Sequence, residues 1–169
     1  MSAVSRGPLL IFALCAVLVL AIAGCGSSDD SSTESSAASS SDVSTNLKTK
    51  PKVTVPSGAA PKQLEEIEVV EGDGAEAKSG DKVTVQYVGV GYESEEEFDS
   101  SWSRNEPFSF SLGAGEVIKG WDQGVAGMKV GGRRELIIPA NLAYGPEGSP
   151  PVIGQNETLI FVIDLLKVE

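Results

Sequence analysis

Beyond Val53 the chain carries five runs with strand character and a single stretch with helical periodicity, a ratio that leaves few folds open. The strand signals fall at Leu64 to Val70, Val83 to Val90, Pro107 to Leu112, Arg134 to Pro139 and Thr158 to Val168, with turn residues between them. In Pro107 to Leu112, Phe108, Phe110 and Leu112 alternate with Ser109 and Ser111, as expected of an antiparallel sheet with one buried and one wet face. The last run, TLIFVIDLL, is apolar on both faces and belongs near the sheet centre. The helical signal is Val117, Trp121, Val125 and Met128, at spacings of four, four and three. One helix can cover one face of one sheet. Gly120 and Gly124 each weaken that helix by up to about 1 kcal/mol relative to Ala, which points to close packing on the sheet. The expected fold is α+β, a mostly antiparallel, curved sheet around one short helix.

Large aromatic residues are few and concentrated. Of ten Phe, Trp and Tyr, six (Phe98, Trp102, Phe108, Phe110, Trp121, Tyr144) lie between Phe98 and Tyr144, with the carboxylate of Asp99 beside Phe98. A concave apolar pit with a few polar groups is the usual form of a ligand site.

The N-terminus reads as an export signal: Arg6, then an apolar run from Pro8 to Ala23 that is short for a membrane span. It ends in Ile22-Ala23-Gly24-Cys25, which resembles the lipobox of bacterial lipoproteins, making Cys25 the expected lipidation site and first mature residue. Cys15 lies in the segment to be removed, so the folded part has no free thiol and no disulfide. Gly26 to about Lys52 is rich in Ser, Asp, Thr and Ala, with too little apolar surface to offset the entropy of ordering. The division expected is a signal at 1–24, a lipidated tether at 25–52 and one domain at 53–169. Residues 61–169 hold nine Lys and Arg against twenty Asp and Glu, so the net charge of −11 resides there. Such a field repels nucleic acid and anionic headgroups.

Four segments then support a family resemblance: EGDGAEAKSGDKVTVQYVG, FDSSWSRNEPFSFSLGAGEVIKGWDQGVAGMKVGGRRELIIP, LAYG and TLIFVIDLLKVE. In order and spacing they resemble the FKBP-type peptidyl-prolyl cis-trans isomerases, over nearly the whole domain. The resemblance implies a half-barrel of five or six antiparallel strands wrapped on one helix, with a proline site between them. It makes Trp121 the pocket floor and Tyr87, Phe98, Phe108, Val117, Ile118 and Phe161 its walls, with Asp99 and Tyr144 as polar members. It makes the Ile118 N–H and the Tyr144 hydroxyl donors to a bound carbonyl, and pairs Arg104 with Asp99. Read from the residues alone, Tyr87 and Phe161 fit a simple core equally well, Trp121 a helix anchor and Asp99 a turn-former. At least one of Phe108 and Phe110 is expected to be core without ligand contact.

Rotation about a peptide bond meets a barrier of about 18 to 20 kcal/mol, and no bond need break to cross it. Neither a nucleophile, a metal nor a cofactor is required, and the chain contains no His. The implied partners are proline-containing unfolded or exported polypeptides, a macrolide ligand, and the bacterial cell membrane through Cys25. Nucleic acid is not expected, and the protein is read as a monomer. A binding or holdase module using the same pocket without catalysis is the alternative.

Two departures from the family pattern stand out. The loop VGVGYESEEE between Tyr87 and Phe98 is one residue longer than in compact members, so a bulge or altered hairpin is expected there. The flap PEGSPPVIGQNE has Ser149 in place of a frequent His and Gly154-Gln155 in place of Pro-Pro, with Val152 and Ile153 available as an apolar rim. Gly113-Ala114-Gly115 matches neither the dinucleotide nor the P-loop pattern. Asn156-Glu157-Thr158 is a coincidental sequon, and Glu93, Glu95, Glu96 and Glu97 read as a solvated acidic turn rather than a cation site.

Overall fold

The run at Leu159–Val168 is apolar on both faces because both faces of its strand are covered. In the computed structural model, which describes residues 43–169, six strands form one antiparallel sheet: β1 (Glu65–Val70), β2 (Lys82–Gly91), β3 (Glu97–Ser100), β4 (Phe108–Ser111), β5 (Arg133–Ile138) and β6 (Leu159–Val168). The order is β1-β5-β6-β2-β3, with β4 also on β2, so the final strand is central as expected. The signal segment, Cys25 and most of the tether lie outside the described residues.

Period-two alternation divides β5 and β6 cleanly. Leu136 and Ile138 with Leu159, Phe161, Ile163 and Leu165 face the main core, together with Val83, Val85, Tyr87, Phe110 and Trp121. On the outer face Ile137 pairs directly with Ile160, and Arg133 with Asp164. Tyr92 joins the two Ile residues there, and Val53, Val55, Ala60 and Ile67 cover them.

That outer face also receives the chain that precedes Val53. The chain expected to remain a free tether to Lys52 lies against the domain from Val43, which is buried, as is Pro51. Arg133 supplies the reason. Its buried guanidinium meets Asp164 through Nε to Oδ1 at 2.5 Å and Nη2 to Oδ2 at 2.7 Å, which leaves further N–H groups to satisfy. The carbonyls of Ser44 and Thr49 accept them, at 2.5 and 3.3 Å. A buried cation requires such partners, and this segment supplies them.

Two short elements carried no strand or helix signal in the sequence. β3 occupies the end of the acidic loop, and its register against β2 shifts between Gly89 and Val90, the irregularity expected there. A one-turn helix α1 (Ser101–Arg104) follows directly. Ser100 caps it by accepting from the Ser103 N–H at 3.3 Å, and Asn105 closes it in the left-handed conformation at φ 52°.

The principal helix, α2, is only Lys119–Gly124. Val117, Val125 and Met128 lie outside it but still pack with Trp121 in the core. Its two glycines do what their cost suggested. A Cβ at Gly120 would fall 2.3 Å from Ile138 Cγ2, and one at Gly124 would fall 2.6 Å from Leu136 Cδ2. The helix backbone therefore lies directly on β5. Gly120→Ala and Gly124→Ala are expected to destabilise the domain by about 1–3 kcal/mol each through overpacking, against a small helix-propensity gain. Urea unfolding midpoints decide it: an unchanged or raised midpoint would show that the approach is looser than described.

Candidate functional site

Between α2 and the concave face of the sheet lies a cavity of ≈ 200 Å³, lined by Tyr87, Phe98, Asp99, Phe108, Glu116, Val117, Ile118, Trp121, Tyr144 and Phe161. Trp121 is brought to its base by the glycine-mediated approach of α2. Around the indole stand Tyr87 at 5.0 Å and 82°, and Phe161 at 5.1 Å and 87°, both edge-on, with Phe108 at 6.1 Å. Phe98 meets Phe161 edge-on at 5.5 Å. Edge-to-face packing of this kind fixes ring orientation as well as burying area. The Trp121 indole N–H is buried and has no acceptor among the described residues.

The polar members form one network on the β3 side. The Tyr87 hydroxyl donates to Asp99 Oδ2, and Arg104 Nη1 donates to Asp99 Oδ1. Arg104 Nη2 donates to the Tyr87 hydroxyl oxygen at 2.9 Å, and its guanidinium lies 5.7 Å from the centre of that ring. The Ser100 N–H donates to Asp99 Oδ1 at 2.8 Å. Burial first, and then the Asp99 carboxylate, push the Tyr87 hydroxyl above the ordinary tyrosine pKa, against the opposing pull of Arg104. Burial first, and then the charge of Asp99, push Tyr144 in the same direction. Both hydroxyls thus remain protonated donors at neutral pH.

Ile118 and Tyr144 differ from that network in having donors to spare. Ile118 precedes α2 at its N-cap, with φ −59° and ψ 149°; its carbonyl accepts from Trp121, while its N–H has no acceptor among the described residues. Tyr144 is 43% exposed, lines the cavity, and its hydroxyl has no protein partner among the described residues.

The structure brings together nine of the residues singled out in the sequence: Tyr87, Phe98, Asp99, Phe108, Val117, Ile118, Trp121, Tyr144 and Phe161. Tyr87 and Phe161, for which a simple core role fitted equally, both line the cavity. Phe108 lines it at 38% exposure, whereas Phe110 is core. Val152 and Ile153 do not line it. Reciprocal hydrogen bonds between the Ser149 and Ile153 backbones fold the flap tip back, which buries Ile153 in the core and leaves Val152 59% exposed. Cys25 lies outside the described residues. Glu116 lines the cavity and was not singled out; its Oε2 accepts from the Ser111 N–H at 2.9 Å, and only its place beside Val117 signalled it. The Gly113-Ala114-Gly115 turn is closed to a phosphate, because the Asp122 carboxylate already accepts from the Gly113 and Gly115 N–H groups at 2.8 and 3.0 Å.

An aromatic pit on this half-barrel, with the Ile118 N–H and the Tyr144 hydroxyl unpartnered among the described residues at its edge, suits an apolar group that carries a carbonyl. The model of the FKBP-type peptidyl-prolyl cis-trans isomerases matches residues 74–166. The chain is 58% identical over 120 residues to the FK506-binding protein of Streptomyces anulatus, covering 70% of this chain and 97% of that protein. The peptidyl-prolyl cis-trans isomerase FPR2 of Saccharomyces cerevisiae is 55% identical over 93 residues, covering 55% of this chain and 69% of that protein. Among solved structures, AtFKBP13 superposes with a TM-score of 0.59 at 38% identity, covering 65% of this chain and 96% of that one. FkpA from Escherichia coli superposes with 0.58 at 42% identity, over 63% of this chain and 48% of that one. The chain belongs to the FKBP family, and it is a peptidyl-prolyl cis-trans isomerase; the holdase alternative is not favoured.

The geometry accounts for the chemistry. A planar X-Pro amide is strongly polar through resonance, and twisting it removes much of that charge separation. Transfer into a cavity walled by aromatic rings thus costs the planar form more than the twisted one, which is differential binding of the transition state. The Ile118 N–H and the Tyr144 hydroxyl can hold carbonyl oxygens while the imide turns. Asp99 exchanges no proton in this scheme; it fixes Tyr87 and Arg104 at the wall.

Tyr144→Phe removes one neutral hydrogen bond and is expected to lower kcat/KM for a short X-Pro peptide about two- to tenfold. Asp99→Ala, which releases both Tyr87 and Arg104, should lower it further. Since both tyrosine pKa values are raised, the profile should show no alkaline limb below about pH 10. Peptide isomerisation followed across pH tests all three, and a tyrosine-dependent loss between pH 8 and about 9.5 would contradict the placement of these hydroxyls.

Proposed function

We propose that this isomerase acts outside the cytoplasm, on proline-containing segments of unfolded or exported polypeptides, as a monomer held to the bacterial cell membrane by acyl chains on Cys25. The observation that carries the location is Ile22-Ala23-Gly24-Cys25, small residues and a Cys closing the apolar run from Pro8 to Ala23 behind Arg6. Each buried methylene contributes about 0.8 kcal/mol to membrane binding, so two or three acyl chains anchor firmly. The domain's acidity works against direct adsorption to anionic headgroups, which leaves the lipid as the attachment. Among the described residues no helix is long and apolar enough to cross a membrane. The apolar Gly-poor pit also suits a macrolide of the FK506 type, the ligand named for the relatives of Streptomyces and Corynebacterium glutamicum. Such a ligand would lie against Trp121, Phe98 and Phe108 and accept from the Ile118 N–H.

Fractionation of cells making the wild-type chain and Cys25→Ser tests the location. Wild type is expected in the membrane pellet, released by detergent but not by salt, and Cys25→Ser in the soluble fraction. A variant that stays in the pellet would refute lipid anchoring. Titration of the purified domain with the macrolide should quench Trp fluorescence and inhibit peptide isomerisation with one shared midpoint, and inhibition without a Trp response would place the ligand elsewhere.

A further inference from the structure

The lengthened loop after β2 and the altered flap, the two places where the sequence leaves the family pattern, touch each other in the fold. Glu157 joins them. Its Oε2 accepts from the Gly154 N–H in the flap at 2.7 Å, and its Oε1 accepts from the Ser94 N–H in the loop at 3.2 Å. A second carboxylate crosses in the opposite direction, with Glu93 Oε2 accepting from the Thr158 N–H at 2.9 Å. The Tyr92 N–H donates to the Thr158 carbonyl at 2.8 Å beside them. Glu157 is only 9% exposed, and room for it depends on Gly91, where a Cβ would fall 2.1 Å from both Glu157 Oε1 and Ser94 Oγ. Burial opposes ionisation of Glu157, but the hydrogen bonds from Ser94 and Gly154 outweigh it and hold its pKa below the usual carboxylate value.

The connection continues to the site. Asn156, next to Glu157, donates its N–H to the Gly145 carbonyl at 3.3 Å, closing the flap on itself, and Gly145 follows Tyr144. A residue with an N–H at position 154 needs an acceptor that a proline would not, and Glu157 is that acceptor. We infer that Glu157 is a positioning residue for the isomerase, locking the flap to the 92–96 loop and thereby fixing Tyr144 at the proline pocket. It touches no substrate and acts through the flap backbone. The role rests on the isomerase assignment.

The test uses the full chain, with backbone amide exchange, peptide kinetics and unfolding midpoints measured together. Glu157→Ala loses both acceptors, and exchange at the Gly154 and Ser94 amides should speed up about tenfold or more. KM for an X-Pro peptide should rise several-fold while kcat and the unfolding midpoint stay close to wild type. Glu157→Gln keeps one carbonyl oxygen, so one of the two amides should remain protected and part of the KM loss should be recovered. Unchanged exchange at Gly154 in Glu157→Ala would overturn the clasp. A fall in kcat that tracks the midpoint would show a merely structural residue and overturn the positioning role. If wild type itself failed to accelerate the peptide, the isomerase reading would fall instead, and the exchange arm would still decide whether the clasp exists.

Discussion

Backbone-to-side-chain contact between α2 and β5 sets every other distance in the pocket. Leu136 and Ile138 occupy the space that a Cβ at Gly124 or Gly120 would need, so the helix rests on the strand without a layer of its own side chains between. Ordinary helix–sheet spacing would lift Trp121 away from Tyr87, Phe108 and Phe161, whose ring centres now lie 5.0 to 6.2 Å from one another or from the indole. The same approach puts the helix N-cap, and with it the free Ile118 N–H, at the mouth of the pit. A helix of six residues has little stability of its own, since nucleation is costly and propagation short. Its order comes from this tertiary contact.

The cavity has to be dry for the amide argument to work, yet it must hold polar groups in place. The structure separates the two demands by position. Asp99, Arg104 and the Tyr87 hydroxyl are bonded to one another at the wall, which holds their polar atoms to one side of the pit. Ile118 and Tyr144 are unpartnered among the described residues at its edge, where a carbonyl can be received. Because Asp99 and Arg104 are both about two-fifths exposed, their pairing orients more than it stabilises.

The sheet and the central place of its last strand were legible because the longer strands express either clean alternation, as in Phe108, Phe110 and Leu112, or a continuous apolar run, as in Leu159 to Leu165. About half of the pocket was legible from composition: large aromatics are scarce, and their concentration between Phe98 and Tyr144 marks Phe98, Asp99, Phe108, Trp121 and Tyr144, whereas Tyr87, Val117, Ile118 and Phe161 came from the family resemblance. β3 was not, because Glu97 to Ser100 contains one apolar residue and gains its strand geometry from β2 rather than from its own pattern. α1 hid for similar reasons, since one turn capped by Ser100 and Asn105 has no periodicity to detect. Val152 and Ile153 misled because hydrophobicity does not say which way a flap folds; the Ser149–Ile153 backbone pair decides it. The N-terminal segment shows the limit most clearly. Its composition from Val43 to Lys52 is that of a solvated linker, and it is held instead by Arg133, a residue far away in sequence whose unmet donors no local pattern can reveal.

That segment also changes what the sheet's outer face is for. Arg133 and Asp164 sit opposite each other on the two central strands, a costly place for charge unless every donor is met. Four of the five guanidinium N–H groups are met, two within the sheet and two by the incoming chain, so the ion pair doubles as the point at which the N-terminal arm is received. From there Val53, Val55 and Ala60 run over Ile137, Ile160 and Tyr92, and the Tyr92 hydroxyl donates to the Pro56 carbonyl at 3.1 Å. The attachment is thus made on the face of the sheet opposite the proline pocket. The arm from Val43 therefore occupies the outer face, and the pocket with Trp121 lies on the concave one.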